Sequence, residues 1–126
     1  MIRCKPLLGT YVEISADADY AIDQAFAAIE LVQDLMGFHN PSSELSRVNA
    51  YAHQEPIQVH EWTFQVLRIS KELCESTNGI FDCGVGAKLV DSGLLPKQFD
   101  HLSTSYGSVS DLILIEPNMV TSKSPL

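Results

Sequence analysis

The chain has 126 residues, 45% of them hydrophobic, which suits a single globular domain with a real core. Eight Lys and Arg stand against sixteen Asp and Glu, a formal charge of −8 and an isoelectric point near 4.7. That balance excludes a nucleic-acid surface, which needs clustered cations to displace counterions. An anionic ligand such as a dinucleotide is compatible with it, held by backbone amides, a few local cations or a bound metal ion.

Pro6 to Ser15 reads as a first strand, with Tyr11, Val12 and Ile14 as β-formers and Glu13 on the alternate face. Asp17 and Asp19 are candidate N-caps for the next element. Ile22, Phe26, Ile29, Val32 (or Gln33) and Met36 recur at helical spacing, which predicts a helix from about Tyr20 to Met36 with one apolar stripe. Gly37 supplies its stop. A loop dense in small polar residues comes next, His39-Asn40-Pro41-Ser42-Ser43, and then a short segment carrying Glu44, Arg47 and Asn49. Pro56 to Val59 is a short extended piece. A second main helix starts near Glu61, with Trp62, Val66, Ile69 and Leu73 as its buried stripe. Asn78-Gly79 ends it with residues suited to a left-handed cap.

Ile80 to Lys88 is punctuated by Gly and reads as a turn with extended backbone, followed by a short helix at Leu89 to Gly93. Pro96 to Ser110 lacks periodicity and reads as a surface loop. Leu112 to Ile115 and Met119 to Thr121 form a hairpin around Glu116-Pro117-Asn118. The final Ser124-Pro125-Leu126 carries no closing helix, so the hairpin edge stays open. The expected class is an incomplete α+β domain with a mixed or antiparallel sheet and two main helices.

Cys4, Cys74 and Cys83 are odd in number, widely spaced and free of any C-x-x-C pair. They read as reduced thiols and not as a disulfide framework or zinc site. His39, His53, His60 and His101 are scattered without metal-ligand spacing, and no metal ligand is assigned. Gly84-Val85-Gly86 is too short for a dinucleotide fingerprint. No long apolar run or signal region is present, so the chain reads as cytoplasmic.

Two stretches carry most of the chemical information. The loop from Met36 to Asn49 either presents hydroxyls, amides and charges to a ligand, or is a helix-capping turn in which Ser42 or Ser43 caps and Glu44 or Arg47 pairs with a neighbour. Asn78 to Gly86 sets Phe81-Asp82 between glycines. That arrangement suits either stacking on a flat ligand with a carboxylate accepting hydrogen bonds, or a tight turn with Phe81 in the core and Asp82 capping.

Taken in order, Leu7-Leu8-Gly9-Thr10, Met36-Gly37-Phe38, Ser43-Glu44-Leu45-Ser46-Arg47-Val48-Asn49 and Gly79-Ile80-Phe81-Asp82 resemble the N-terminal part of the FAD:protein FMN transferases, the ApbE-type flavin transferases. The resemblance implies an α+β fold and a reaction in which FMN passes from FAD to a Thr or Ser of a target flavoprotein, releasing AMP. It also implies Mg²⁺ as the divalent cation. It places Leu8, Phe38, Ile80, Phe81 and Asp82 at flavin-contacting positions. Ser43, Glu44, Arg47 and Asn49 fall at positions that shape the pocket. Leu8 stands for the family's Met, Gly37 for Ser, Ile80 for Ala, and Cys83-Gly84 for a Pro-Thr pair.

The family's D-L-G-G-I-A-K-G stretch and a later metal-site segment have no counterpart up to Leu126, so catalytic residues are expected beyond it. The expectation is therefore the N-terminal part of a flavin transferase domain, inactive alone. Its implied partners are FAD and an acceptor flavoprotein, with an acceptor complex at a membrane and a periplasmic or membrane-associated setting as the family's other arrangements. The competing reading is a non-catalytic flavin-binding or assembly module.

Overall fold

A computed structural model describes residues 1–37, 39–84, 93 and 108–123. Two antiparallel sheets and three helices occur in the order β1 (Ile2–Leu7), β2 (Thr10–Ser15), α1 (Asp19–Met36), α2 (Glu44–Tyr51), β3 (Ile57–Gln58), α3 (Glu61–Ser76), β4 (Leu112–Ile115) and β5 (Met119–Ser122). A short 3₁₀ turn at Val109–Asp111 leads into β4. The class is α+β, as expected, with three helices in place of two main ones and with antiparallel pairing in both sheets.

The single strand expected from Pro6 to Ser15 is in fact the end of one strand, a turn and the whole of a second. β1 and β2 pair from Ile2 with Ser15 to Leu7 with Thr10, and Leu8-Gly9 is the two-residue turn. Both turn residues have positive φ, +57° at Leu8 and +73° at Gly9, as the right-handed twist of a tight hairpin requires. Leu is a poor marker for that conformation, so the sequence hides the turn.

α1 buries Ile22 and Phe26, with Ile29, Val32 and Met36 half-buried along the same stripe. Neither Asp17 nor Asp19 caps it. The N-cap is Ala18 without a side-chain bond, and Asp19 lies inside the first turn, where its charge complements the helix dipole. Gly37 ends the helix with φ −71°, outside the left-handed region; a Cβ there would stand 2.6 Å from the Gln33 carbonyl oxygen.

The largest correction concerns α3. Its expected buried stripe is exposed: Trp62, Val66, Ile69 and Leu73 each keep 40–51% of their surface in water. The residues that point inward are Thr63, Phe64, Leu67 and Cys74. The helix has two apolar faces, and period alone does not say which one the fold uses. The chosen face joins Val48, Ala52, Ile57, Val59, Val109, Leu112 and Val120 in one core cluster.

The sheet over that core runs β3-β5-β4. The hairpin of β4 and β5 pairs Ile115 with Met119 through Leu112 with Ser122, as the sequence predicts, with β5 one residue longer. Its inner side is tied down by Lys71, whose Nζ donates to the Leu112 carbonyl at 2.7 Å, and by Ser122 N–H donating to the Ala52 carbonyl at 2.9 Å. All three cysteines are free thiols, Cys74 buried and Cys4 and Cys83 exposed. Of the helix expected at Leu89–Gly93 only Gly93 is described, and of the loop expected from Pro96 to Ser110 only its end, where Ser108 caps the 3₁₀ turn; residues 85–88 lie outside the described residues. Among the described residues no helix is long and apolar enough to cross a membrane.

Candidate functional site

One group of hydrogen bonds begins at the hairpin turn. Leu8 N–H donates to Gln33 Oε1 at 2.7 Å, which fastens the turn to the last part of α1. Gln33 also accepts, through its carbonyl, from Gly37 N–H at 2.9 Å. Leu8 is held in the left-handed region at a cost of about 1–2 kcal/mol and is still 53% exposed.

The polar loop after α1 folds back on itself. Asn40 Oδ1 accepts from Ser42 N–H at 2.9 Å, an Asx turn of the type short polar side chains favour. Ser43 Oγ donates to the Gly37 carbonyl at 2.8 Å and accepts from Ser46 N–H at 3.1 Å, so it is the N-cap of α2. Ser46 Oγ in turn donates to the Asn40 carbonyl at 2.7 Å. Both serines are buried, at 1% and 0% exposure. For Ser43, capping is thus what the structure shows, and it starts an α2 that the sequence marks only as a short segment.

Glu44 reaches across to α3. Its two carboxylate oxygens accept from His60 N–H at 2.8 and 2.9 Å, which anchors the N-terminus of that helix. His60 is the N-cap of α3, with Nδ1 accepting from Trp62 N–H at 3.0 Å. Arg47 lies 4.0 Å from Glu44, and the pair joins Pro56, Ile57, Gln58, Val59 and His60 around an open cleft of about 490 Å³. Asn49 is half-buried on α2.

The second group lies past the other end of α3. Asn78 and Gly79 take the expected left-handed conformations, φ +55° and +84°, and Gly79 N–H returns to the Cys74 carbonyl at 2.8 Å. Thr77 Oγ1 accepts from Phe81 N–H at 3.0 Å. Asp82 then fixes the chain: Oδ1 accepts from Gly84 N–H and Val109 N–H, both at 2.9 Å, and Oδ2 from Ser108 Oγ at 2.5 Å. These bonds hold Phe81 at 42% and Ile80 at 91% exposure, so neither is a core residue. Gly84 makes its close approach to the chain itself, since a Cβ there would meet Val109 N at 2.5 Å and Ser108 C at 2.8 Å.

The expected site residues therefore fall into two sets. Leu8, Ser43, Glu44 and Arg47 belong to one connected group that ends at the start of α3. Ile80, Phe81 and Asp82 follow the other end of α3 and are tied to the turn before β4. Phe38 lies outside the described residues. Sequence reasoning missed Gln33, His60 and Ser108, which anchor Leu8, Glu44 and Asp82. Only the N-cap position of His60, just before a periodic run, left a local signal. Among the described residues no group of three or more His, Cys, Asp or Glu could hold a metal ion, and none of them is assigned to the Mg²⁺ that the resemblance implies.

Comparison with known proteins bears on this arrangement directly. The fold matches the flavin transferase ApbE from Vibrio cholerae, in a single-residue variant, with TM-score 0.79 and 26% identity over 99% of this chain and 46% of that one. The apo flavinyl transferase ApbE of Pseudomonas stutzeri matches with TM-score 0.77 and 15% identity over 100% and 47%. The ApbE protein of Thermotoga maritima gives 0.76 and 20% over 97% and 44%. The chain thus spans less than half the length of these structures. No curated protein sequence is significantly similar to it. Residues 8–103 match the sequence profile of the ApbE family, and the chain belongs to that family of flavin transferases.

Proposed function

We propose that this chain supplies the ring-binding part of the FAD site of an FAD:protein FMN transferase, an enzyme that moves FMN from FAD to a Thr or Ser of an acceptor flavoprotein and releases AMP. The observation that carries the reading is Leu8. It is apolar, half in solvent, strained and anchored at Gln33, at the position where the family resemblance expects a flavin contact. Phe81 and Ile80 add exposed apolar surface on a segment that Asp82 holds still. In this reading Asp82 serves the flavin by fixing the backbone beside the ring, and Ser43, Glu44 and Arg47 stiffen the loop that flanks Leu8.

The described residues carry apolar contact and loop anchoring, and no step at the FAD phosphates is assigned to them. Mg²⁺ and the chemistry at the pyrophosphate belong to the transferase as a whole. The competing reading is a flavin-binding or assembly module without transfer chemistry.

The test is FAD binding to the 126-residue chain, monitored by quenching of flavin fluorescence. Saturable binding is expected, weakened about tenfold by Leu8→Asp and by Phe81→Ala, each side chain contributing on the order of 1–1.5 kcal/mol of contact. Equal affinity in the wild type and both variants overturns the assignment. FMN transfer to an acceptor peptide, measured with and without chelator, then separates the enzyme from the binding module.

A further inference from the structure

Leu8 is anchored by one half of a side-chain amide, and the other half is unspent. Gln33 Oε1 accepts from Leu8 N–H at 2.7 Å. A backbone N–H can only donate, so this bond decides which way round the amide lies. The oxygen faces the hairpin turn, and the NH₂ group is turned away from it. Among the described residues no hydrogen bond takes up Nε2, and it is not among the buried polar atoms without a partner. Gln33 itself is half-buried, so two N–H donors reach solvent beside the exposed side chain of Leu8.

The donors are also held in place. The Gln33 carbonyl accepts from Gly37 N–H at 2.9 Å, and the Gly37 carbonyl accepts from Ser43 Oγ at 2.8 Å. The backbone that carries Gln33 is thereby tied into the loop after α1. With its backbone fixed on one side and its Oε1 on the other, the side chain is ordered before any ligand arrives.

The flavin ring gives such a donor something to read. One end of the ring is an apolar dimethylbenzene, and the other carries two carbonyl oxygens on either side of an N–H. Contact with apolar side chains holds a ring by area, which does not tell the two ends apart. A placed polar group does. A donor-only NH₂ selects a carbonyl oxygen and gives nothing to the apolar end. We infer that Gln33 orients the flavin ring at Leu8: Oε1 holds the turn while Nε2 donates to a ring carbonyl, so that the polar edge of the ring faces α1. This rests on the flavin reading of Leu8 and adds the contact that decides which end of the ring lies there.

The test takes the two halves of the amide apart. Gln33→Glu keeps an oxygen for Leu8 N–H and, at neutral pH, exchanges the donor for a second acceptor. Gln33→Met removes both. Riboflavin is the probe, because it carries the ring without phosphates and so meets the added carboxylate as a neutral molecule. Binding to the 126-residue chain is followed by flavin fluorescence. Both variants are expected to bind about fivefold to tenfold more weakly than the wild type at unchanged far-ultraviolet circular dichroism. With riboflavin carrying ¹³C at its two carbonyl carbons, one resonance is expected to move downfield on binding to the wild type. That shift is expected to vanish with Gln33→Glu. If Gln33→Met loses its helical signal, Gln33→Glu and the carbon resonances decide alone.

Wild-type affinity in Gln33→Glu, or a carbonyl shift that survives it, overturns the inference: Gln33 then only anchors Leu8, and the flavin reading of Leu8 stands. Wild-type affinity in both variants overturns it too. If the wild-type chain takes up no riboflavin, or takes it up equally well after Leu8→Asp, the flavin reading itself fails and carries the inference with it.

Discussion

At Leu8 the cost of the backbone and the exposure of the side chain point the same way. A Leu with φ +57° gives up about 1 kcal/mol or more relative to a residue that tolerates the left-handed region, and its half-exposed side chain recovers little of this by burial. Leu8→Asn is therefore expected to raise the unfolding free energy by about 0.5–1 kcal/mol, read as a higher urea midpoint at unchanged slope. A lower midpoint would show that Leu8 is a structural residue whose contacts outweigh the strain. Gly84 presents the opposite case. Its missing side chain leaves room for the backbone of Ser108 and Val109, and Asp82 holds the two segments together by accepting from Gly84 N–H, Val109 N–H and Ser108 Oγ. Gly84→Ala pushes a methyl group into atoms that cannot swing aside. A loss of about 2–3 kcal/mol is expected in the same assay. A loss under about 0.5 kcal/mol would mean that the two segments part easily and that the Asp82 anchor is weak.

Among the elements, legibility depends on the kind of signal each one leaves in the sequence. α1 is readable because its apolar residues form one stripe and its other faces are polar, so period and burial agree. The β4–β5 hairpin is readable because Glu116-Pro117-Asn118 breaks two apolar runs. α2 is half-legible: Ser43 is the cap the loop suggests, but eight residues with three buried positions (Ser46, Val48 and Ala50) give almost no apolar pattern to extend from it. The candidate site is legible in its residue types and much less in its layout. Leu8, Glu44 and Asp82 owe their geometry to Gln33, His60 and Ser108, between 16 and 26 residues away, and no local spacing announces those partners. α3 misleads because both of its apolar faces have helical period. That ambiguity has a direct measure. Leu67→Ala, at 5% exposure in the core cluster, is expected to cost about 2–4 kcal/mol; Ile69→Ala, at 51%, is expected to cost under about 1 kcal/mol in the isolated chain. Thermal or urea unfolding of the pair decides it, and similar costs would place both residues in the core.

The molecule as a whole carries its charge unevenly matched. Sixteen acidic residues face eight basic ones, and several of the basic groups are occupied within the fold: Arg3 pairs with Asp23, Lys5 with Glu30 at 3.9 Å, and Lys71 binds a carbonyl. The ion pairs are exposed, so each contributes little, while the surplus acidic groups repel one another through water. Folding draws those charges closer together than they lie in the unfolded chain. Screening should therefore favour the folded state, since the Debye length falls from about 30 Å at 0.01 M to about 8 Å at physiological ionic strength. The urea midpoint is accordingly expected to rise between those two conditions in sodium chloride, with a slope that stays constant because the surface exposed on unfolding is unchanged. A falling midpoint would show that the exposed pairs outweigh the repulsion.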